Sequence, residues 1–118
     1  MSGKTSYLSG LAAEEAVTRL YVDQGFMLRA ERWRGAGGEI DLIFQKGDEI
    51  VFVEVKKSKS FEQAAAALSA HQIGRIYASA EEFIGSEPLG LATPMRFDAA
   101  LVDVHGQVQI LENAFGLG

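Results

Sequence analysis

Apolar residues recur with two different periods along the chain, and the change of period divides it into elements. Ala13, Val17, Leu20 and Tyr21 fall at helical spacing and Gly25 follows as a stop signal, which predicts a helix over residues 9–24. Residues 26–33 read as a strand, and Gly35, Gly37 and Gly38 as a loop. Residues 39–46 and 49–57 are rich in Ile, Val and Phe and read as two further strands. Gly47-Asp48 between them reads as a tight hairpin turn with Gly at its first position. A second helix is predicted over residues 61–84. Ser60 and Gln63 make a capping-box pattern at its start, and Ala64, Ala67, Leu68, Ile73, Ile76, Tyr77, Ala80 and Phe83 form its apolar stripe. Gly74 weakens its middle by about 1 kcal/mol relative to Ala. A Gly- and Pro-containing loop follows, and residues 95–104 and 107–112 read as a final hairpin around His105-Gly106. The order α-β-β-β-α-β-β predicts an α/β class with a mixed sheet flanked by helices.

The strand pattern also predicts which side chains meet. Side chains alternate between faces, so Glu39, Asp41, Ile43 and Gln45 should share one face of their strand, with Ile40, Leu42 and Phe44 on the other. In the next strand Ile50, Phe52, Glu54 and Lys56 share a face, opposite Val51, Val53 and Val55. A two-residue turn sets Lys46 against Glu49. That register puts Ile43 opposite Phe52, Asp41 opposite Glu54 and Glu39 opposite Lys56, with directly opposed Cβ atoms about 4.5–5.5 Å apart.

Two carboxylates that close repel unless one holds a proton or a cation sits between them. Mg²⁺ favours such a pair, completing its octahedron with waters and substrate phosphate. Lys56, on the same face, would stand beside the cation, able to orient or deprotonate an attacking water or to neutralise charge building on phosphorus. The residues alone leave a second reading open, in which Glu39–Lys56 and Asp41–Lys56 are structural cross-strand ion pairs on a solvated face. Glu54 interrupts an apolar run and shares its face with Phe52, which argues for partial burial, where unpaired charge is costly.

Composition narrows the setting. The chain has 118 residues, 47% hydrophobic and 23% charged, and this predicts one globular domain over residues 1–118. It contains no cysteine, which excludes disulfides and thiolate chemistry. The N-terminal MSGKTSYLSG lacks the apolar stretch of a secretory signal, and no apolar run approaches the ~20 residues of a membrane span. The expected location is the cytoplasm, with no membrane partner. The net charge is −5, but unevenly spread: residues 1–60 carry nine Lys/Arg and nine Asp/Glu, and residues 61–118 only Arg75 and Arg96 against seven acids. The basic residues thus sit in the half that holds the candidate site, where local field matters more than the net sum.

Gly38-Glu-Ile-Asp-Leu-Ile43 and Val51-Phe-Val-Glu-Val-Lys56 resemble the motifs of the YraN-type family of bacterial proteins, within the restriction-endonuclease-like, PD-(D/E)xK superfamily. The resemblance extends over most of the chain. Gly10 to Glu15 is similar to the family's N-terminal glycine and helix glutamate, and Arg96-Phe-Asp98 and Asn113-Ala-Phe115 to its C-terminal signature. It implies a restriction-endonuclease-like mixed sheet and Mg²⁺- or Mn²⁺-dependent phosphodiester hydrolysis. Asp41, Glu54 and Lys56 match the catalytic D…ExK core, with Asp41 and Glu54 as metal ligands. Glu14 matches a helix carboxylate that resembles a Holliday-junction resolvase feature and joins the metal set. Glu39 belongs to the Gly-Glu-Ile-Asp motif as a secondary site residue, pairing with Lys56 or an arginine. The chain departs from the family in carrying Arg32 in place of the usual Asn, Ser58 in place of the usual Arg, and Ile40 where the superfamily motif has Pro.

The expected function is therefore that of a metal-dependent endonuclease or nuclease-like DNA-processing protein, with branched DNA as the substrate implied by analogy. The rival is a catalytically inactive nucleic-acid-binding or protein-assembly module retaining the fold. Arg29, Arg32, Arg34, Lys57 and Lys59 are the candidate phosphate-binding rim, and a homodimer would align two such edges. Trp33 reads as a packed aromatic more than a base-stacking one. His71 and His105 read as surface or turn residues. Gln72 and Tyr77 are spaced five apart, against four in the nucleotide-contacting pair of some related nucleases. With no Cys and no clustered His, a zinc site is not expected.

Overall fold

The structure, a computed structural model, describes residues 3–67 and 70–114. Helix α1 (Gly3–Asp23) leads into an antiparallel meander of β1 (Met27–Gly35), β2 (Gly38–Lys46) and β3 (Glu49–Lys57). Helices α2 (Phe61–Ala66) and α3 (Ala70–Gly85) and a 3₁₀ turn at Gly90–Ala92 follow, then β4 (Met95–Val102) and β5 (Val108–Leu111). The five strands form one sheet in the order β1-β2-β3-β4-β5, with β3 and β4 parallel and the other neighbours antiparallel. A parallel pair needs a crossover, and α2 and α3 supply it. The mixed α/β architecture predicted from the pattern is the one observed. No helix among the described residues is long and apolar enough to cross a membrane.

One predicted helix is two. The apolar stripe over residues 61–84 serves two separate surfaces. Ala64 of α2 packs with Ala99 and Leu101, whereas Ile76, Ala80 and Ile84 of α3 pack against Ile40, Ile43, Ile50, Phe52 and Phe97. Each helix covers its own patch of the same sheet face. Ser60 caps α2 as expected, its Oγ accepting the Gln63 N–H at 3.2 Å. The Gln63 side chain accepts from the Ser58 hydroxyl at 3.1 Å, so the predicted cap is anchored one residue pair further back.

The opposite face of the sheet is covered by α1, whose Ala13, Val17 and Tyr21 pack on Leu42, Phe44, Val51, Val53, Ala100 and Val102. Here the expected face assignment fails at one residue. Ile40 packs under α3 with Ile43, away from Leu42 and Phe44. Residues two apart on a regular strand share a face. β1 behaves in the same way: Glu31 pairs with Leu42 and lines the α1 side, whereas Trp33 pairs with Ile40 and packs on the α3 side. Arg32, between them, has φ 46°, a left-handed conformation rare for a non-glycine residue. Both strands therefore exchange faces at one step, Arg32 on β1 and Asp41 on β2.

The β1–β2 turn beyond this step rests directly on α3. Arg75 Nε donates to the Gly37 carbonyl at 3.0 Å and Ser79 Oγ to the Gly38 carbonyl at 2.8 Å. A Cβ on Gly37 would lie 2.2 Å from the Arg75 carbonyl oxygen, so the approach requires glycine.

Candidate functional site

The face exchange determines where the Asp41 carboxylate goes. The β2–β3 ladder keeps the predicted register from Lys46–Glu49 to Leu42–Val53. Past that point Asp41 Oδ2 accepts the backbone N–H of Val55 at 2.8 Å, a donor that a continuing ladder would satisfy with a backbone carbonyl. Asp41 is thereby held at the junction of β2 and β3, close enough to Glu54 for the two carboxyls to act on each other.

Glu54 is 6% exposed, on a strand flanked by neighbours on both sides, with Ala99 of β4 beside it. Burial, and next the hydrogen bond to Asp41 and its negative charge, push the Glu54 carboxyl up to about 9, with Lys56 opposing. Glu54 thus keeps its proton at neutral pH, which relieves its repulsion with Asp41. Lys56 Nζ lies 3.7 Å from Glu54 Oε1. The other oxygen, Oε2, is buried without a hydrogen-bond partner. The three residues expected to converge do so.

Glu14 of α1 lies near enough for its charge and that of Asp41 to act on each other, but does not complete a three-carboxylate group with Asp41 and Glu54. Its carboxyl is pushed upward by burial and then by the charge of Asp41, with Arg32 opposing. Arg32 Nη1 donates to Glu14 Oε1 at 2.6 Å. Glu39 does not pair across to Lys56, because the ladder ends before it. Its partner is an arginine, Arg34, at 3.5 Å, and its charge still acts on both Glu14 and Glu54.

Among the described residues no three Asp, Glu, His or Cys side chains form a ready-made metal-binding group. The Asp41–Glu54 pair does suit a hard divalent cation in the manner of Mg²⁺, which takes one or two carboxylates and keeps several waters. A buried carboxylate oxygen without a partner, beside a second carboxylate, is what a cation would satisfy.

The predicted basic rim is dispersed. Arg29 makes a two-pronged pair with Glu87, at 2.7 and 3.0 Å, and also donates to Gln45 at 2.6 Å. It lies beside Phe83, towards the end of β1 away from the Gly35 turn. Arg32 and Arg34 pair with Glu14 and Glu39 next to the cluster. Lys57 and Lys59 are exposed beyond Lys56. Trp33 is packed, edge-on against Phe83 at 5.3 Å. Tyr77 lies on Phe97, with its hydroxyl buried and unpartnered among the described residues. His105 is exposed at the β4–β5 turn, and the side chains of His71 and Gln72, like Phe115, lie outside those described.

Two features escaped the sequence reading. Arg75, on α3, lines a notch beside Glu39. Its only signal was its isolation as a base in an acidic half. The second is Asp98, fully buried, which accepts from Tyr21 Oη at 2.6 Å, Arg96 at 2.9 and 3.2 Å and the Asn113 N–H at 3.0 Å. This network ties α1, β4 and the chain after β5 together and gives the Arg96-Phe-Asp98 and Asn113 motif a structural role.

The model of the uncharacterised protein family UPF0102 matches residues 13–102, which span every element of the site described above. A UPF0102 protein of Cereibacter sphaeroides is 56% identical over 115 residues, covering 98% of each chain. One of Roseobacter denitrificans is 56% identical over 117 residues, covering 99% of this chain and 91% of its own. One of Ruegeria pomeroyi is 54% identical over 116 residues, covering 98% and 94%. With most of its length matched by the family model and near full-length relatives above half identity, the chain belongs to the UPF0102, YraN-like family.

Proposed function

We propose that this protein is a metal-dependent endonuclease of the PD-(D/E)xK type, hydrolysing phosphodiester bonds in DNA, with branched DNA as its substrate class. The observation that carries this reading is buried Glu54 beside half-buried Asp41, with no hydrogen-bond partner for Glu54 Oε2 and Lys56 3.7 Å away. A purely structural acid pair buried in a sheet would be expected to have its oxygens satisfied. The mixed sheet, with the acids on adjacent antiparallel strands β2 and β3, is the frame a restriction-endonuclease-like fold would use.

Asp41 and Glu54 would hold Mg²⁺ or Mn²⁺, with Glu14 as the next carboxylate of the cluster. Such a cation, when bound, polarises a phosphoryl oxygen and lowers the pKa of a bound water. The Val55 N–H fixes one oxygen of Asp41. Glu54 would give up its proton to hold such a cation, so affinity would rise with pH. Lys56 orients the attacking water and offsets the charge that develops on the phosphate.

A second reading, a non-catalytic assembly module, draws support from the acidic partners already held by Arg29, Arg32 and Arg34. Branched, nicked and linear DNAs incubated with Mg²⁺ or Mn²⁺ separate the two. The nuclease reading expects cleavage of branched DNA by the wild type and none by Asp41→Asn. No cleavage of any substrate by the wild type leaves the assembly reading.

A further inference from the structure

We propose that Arg75 and Arg34 form a phosphate-binding notch at the β1–β2 turn, which grips the nucleic-acid backbone next to the Asp41–Glu54 site. The inference rests on the nuclease reading for its ligand, but on separate residues for its geometry. A recess of about 210 Å³ is lined by Arg34, Gly37, Gly38, Glu39, Arg75 and Ile76. Glu39, two residues from Asp41, links it to the acid pair, and its charge is felt at Glu54.

The notch is built, not incidental. Gly37 allows the turn to approach the α3 backbone at Arg75, and Gly38 has φ 128°, which side chains rarely adopt. The Arg75 guanidinium lies over Gly38, with Nη2 3.0 Å from where a Cβ would stand. Its Nε is committed to the Gly37 carbonyl at 3.0 Å, while the residue stays exposed and its Nη groups are left for a ligand. No acidic side chain pairs with Arg75 among the described residues, in contrast to Arg29, Arg32 and Arg34. A planar guanidinium pinned at one nitrogen is preorganised for a phosphate.

Arg34 is the more exposed half of the pair. Its side chain is 72% exposed and it meets Glu39 only at 3.5 Å. An exposed ion pair of this length contributes little, so a phosphate can draw Arg34 from Glu39. Glu39 then acts as a competitor in the notch, and its removal strengthens phosphate binding.

The test is binding of a fluorescent branched DNA across a salt series with EDTA present, so that cutting plays no part. Arg75→Gln and Arg34→Gln should each weaken binding and each lower the log–log salt slope by about 1. Glu39→Gln should tighten it. Arg34→Gln guards against misfolding as an explanation, since its side chain is largely in solvent. Wild-type affinity and slope in both arginine variants would overturn the notch while leaving the nuclease reading intact, to be judged by the cleavage assay. Absence of wild-type DNA binding at low salt would overturn the notch whatever that assay shows.

Discussion

Asp41 Oδ2 accepts the Val55 amide at 2.8 Å, so a side chain takes the place of a backbone carbonyl where β2 and β3 part. This exchange brings a carboxylate to the edge of a ladder, beside buried Glu54. It follows from the face swap at Arg32 and Asp41 and makes the acid pair a feature of the backbone path.

Mn²⁺ or Mg²⁺ at millimolar concentration should raise the melting temperature of the wild type, because a ligand of the folded state alone stabilises it by mass action. The gain should vanish in Asp41→Asn, which keeps an oxygen for the Val55 amide but loses the charge. Differential scanning fluorimetry with and without each cation reads this directly. Equal shifts in both proteins would place any cation elsewhere.

Metal-free stability should fall as pH rises. Glu54 moves from its ordinary 4.5 to about 9 on folding, so between those values the folded state holds a proton that the unfolded chain has released. Its contribution is fully present below about 4.5 and is lost as pH climbs to about 9. Glu14, raised in the same direction, adds to the trend. Urea midpoints in EDTA should show the decline, and Glu54→Gln, which cannot titrate, should flatten it.

Asp98 should behave as a structural acid. Its removal in Asp98→Ala leaves Arg96 and Tyr21 without their buried acceptor, at a cost of about 3–5 kcal/mol. Cation binding in the fraction that remains folded should be unaffected. A stability loss below about 1 kcal/mol in denaturant titration would show that the network is dispensable.

Two glycines should respond in opposite senses. Gly37→Ala pushes a methyl to 2.2 Å from the Arg75 carbonyl and 2.9 Å from the Ala78 Cβ, and should destabilise by about 1–3 kcal/mol. Gly74→Ala, within α3 and with nothing within 4 Å, should stabilise by about 0.8–1 kcal/mol. Thermal melts of the two variants against wild type test both signs at once.

Local pattern sufficed for the elements, the hairpin register from Lys46–Glu49 to Leu42–Val53, and the neighbouring strands on which Asp41 and Glu54 stand, because alternation and a two-residue turn act over a few neighbouring residues. The family motifs extended that reading to Glu14. Three things depended on the tertiary structure. The division of the second helix let its apolar stripe cover two separate patches of one sheet face. The face of Ile40 changed at the step where the paired strand β1 carries Arg32 in a left-handed conformation, which hydrophobic periodicity cannot signal. The partners of the arginines were likewise hidden: Glu87 lies 58 residues from Arg29 along the chain, and the Gly37 carbonyl 38 residues from Arg75. Charge pairing depends on distance in space, and sequence separation carries no information about it until the sheet has brought the strands and helices together.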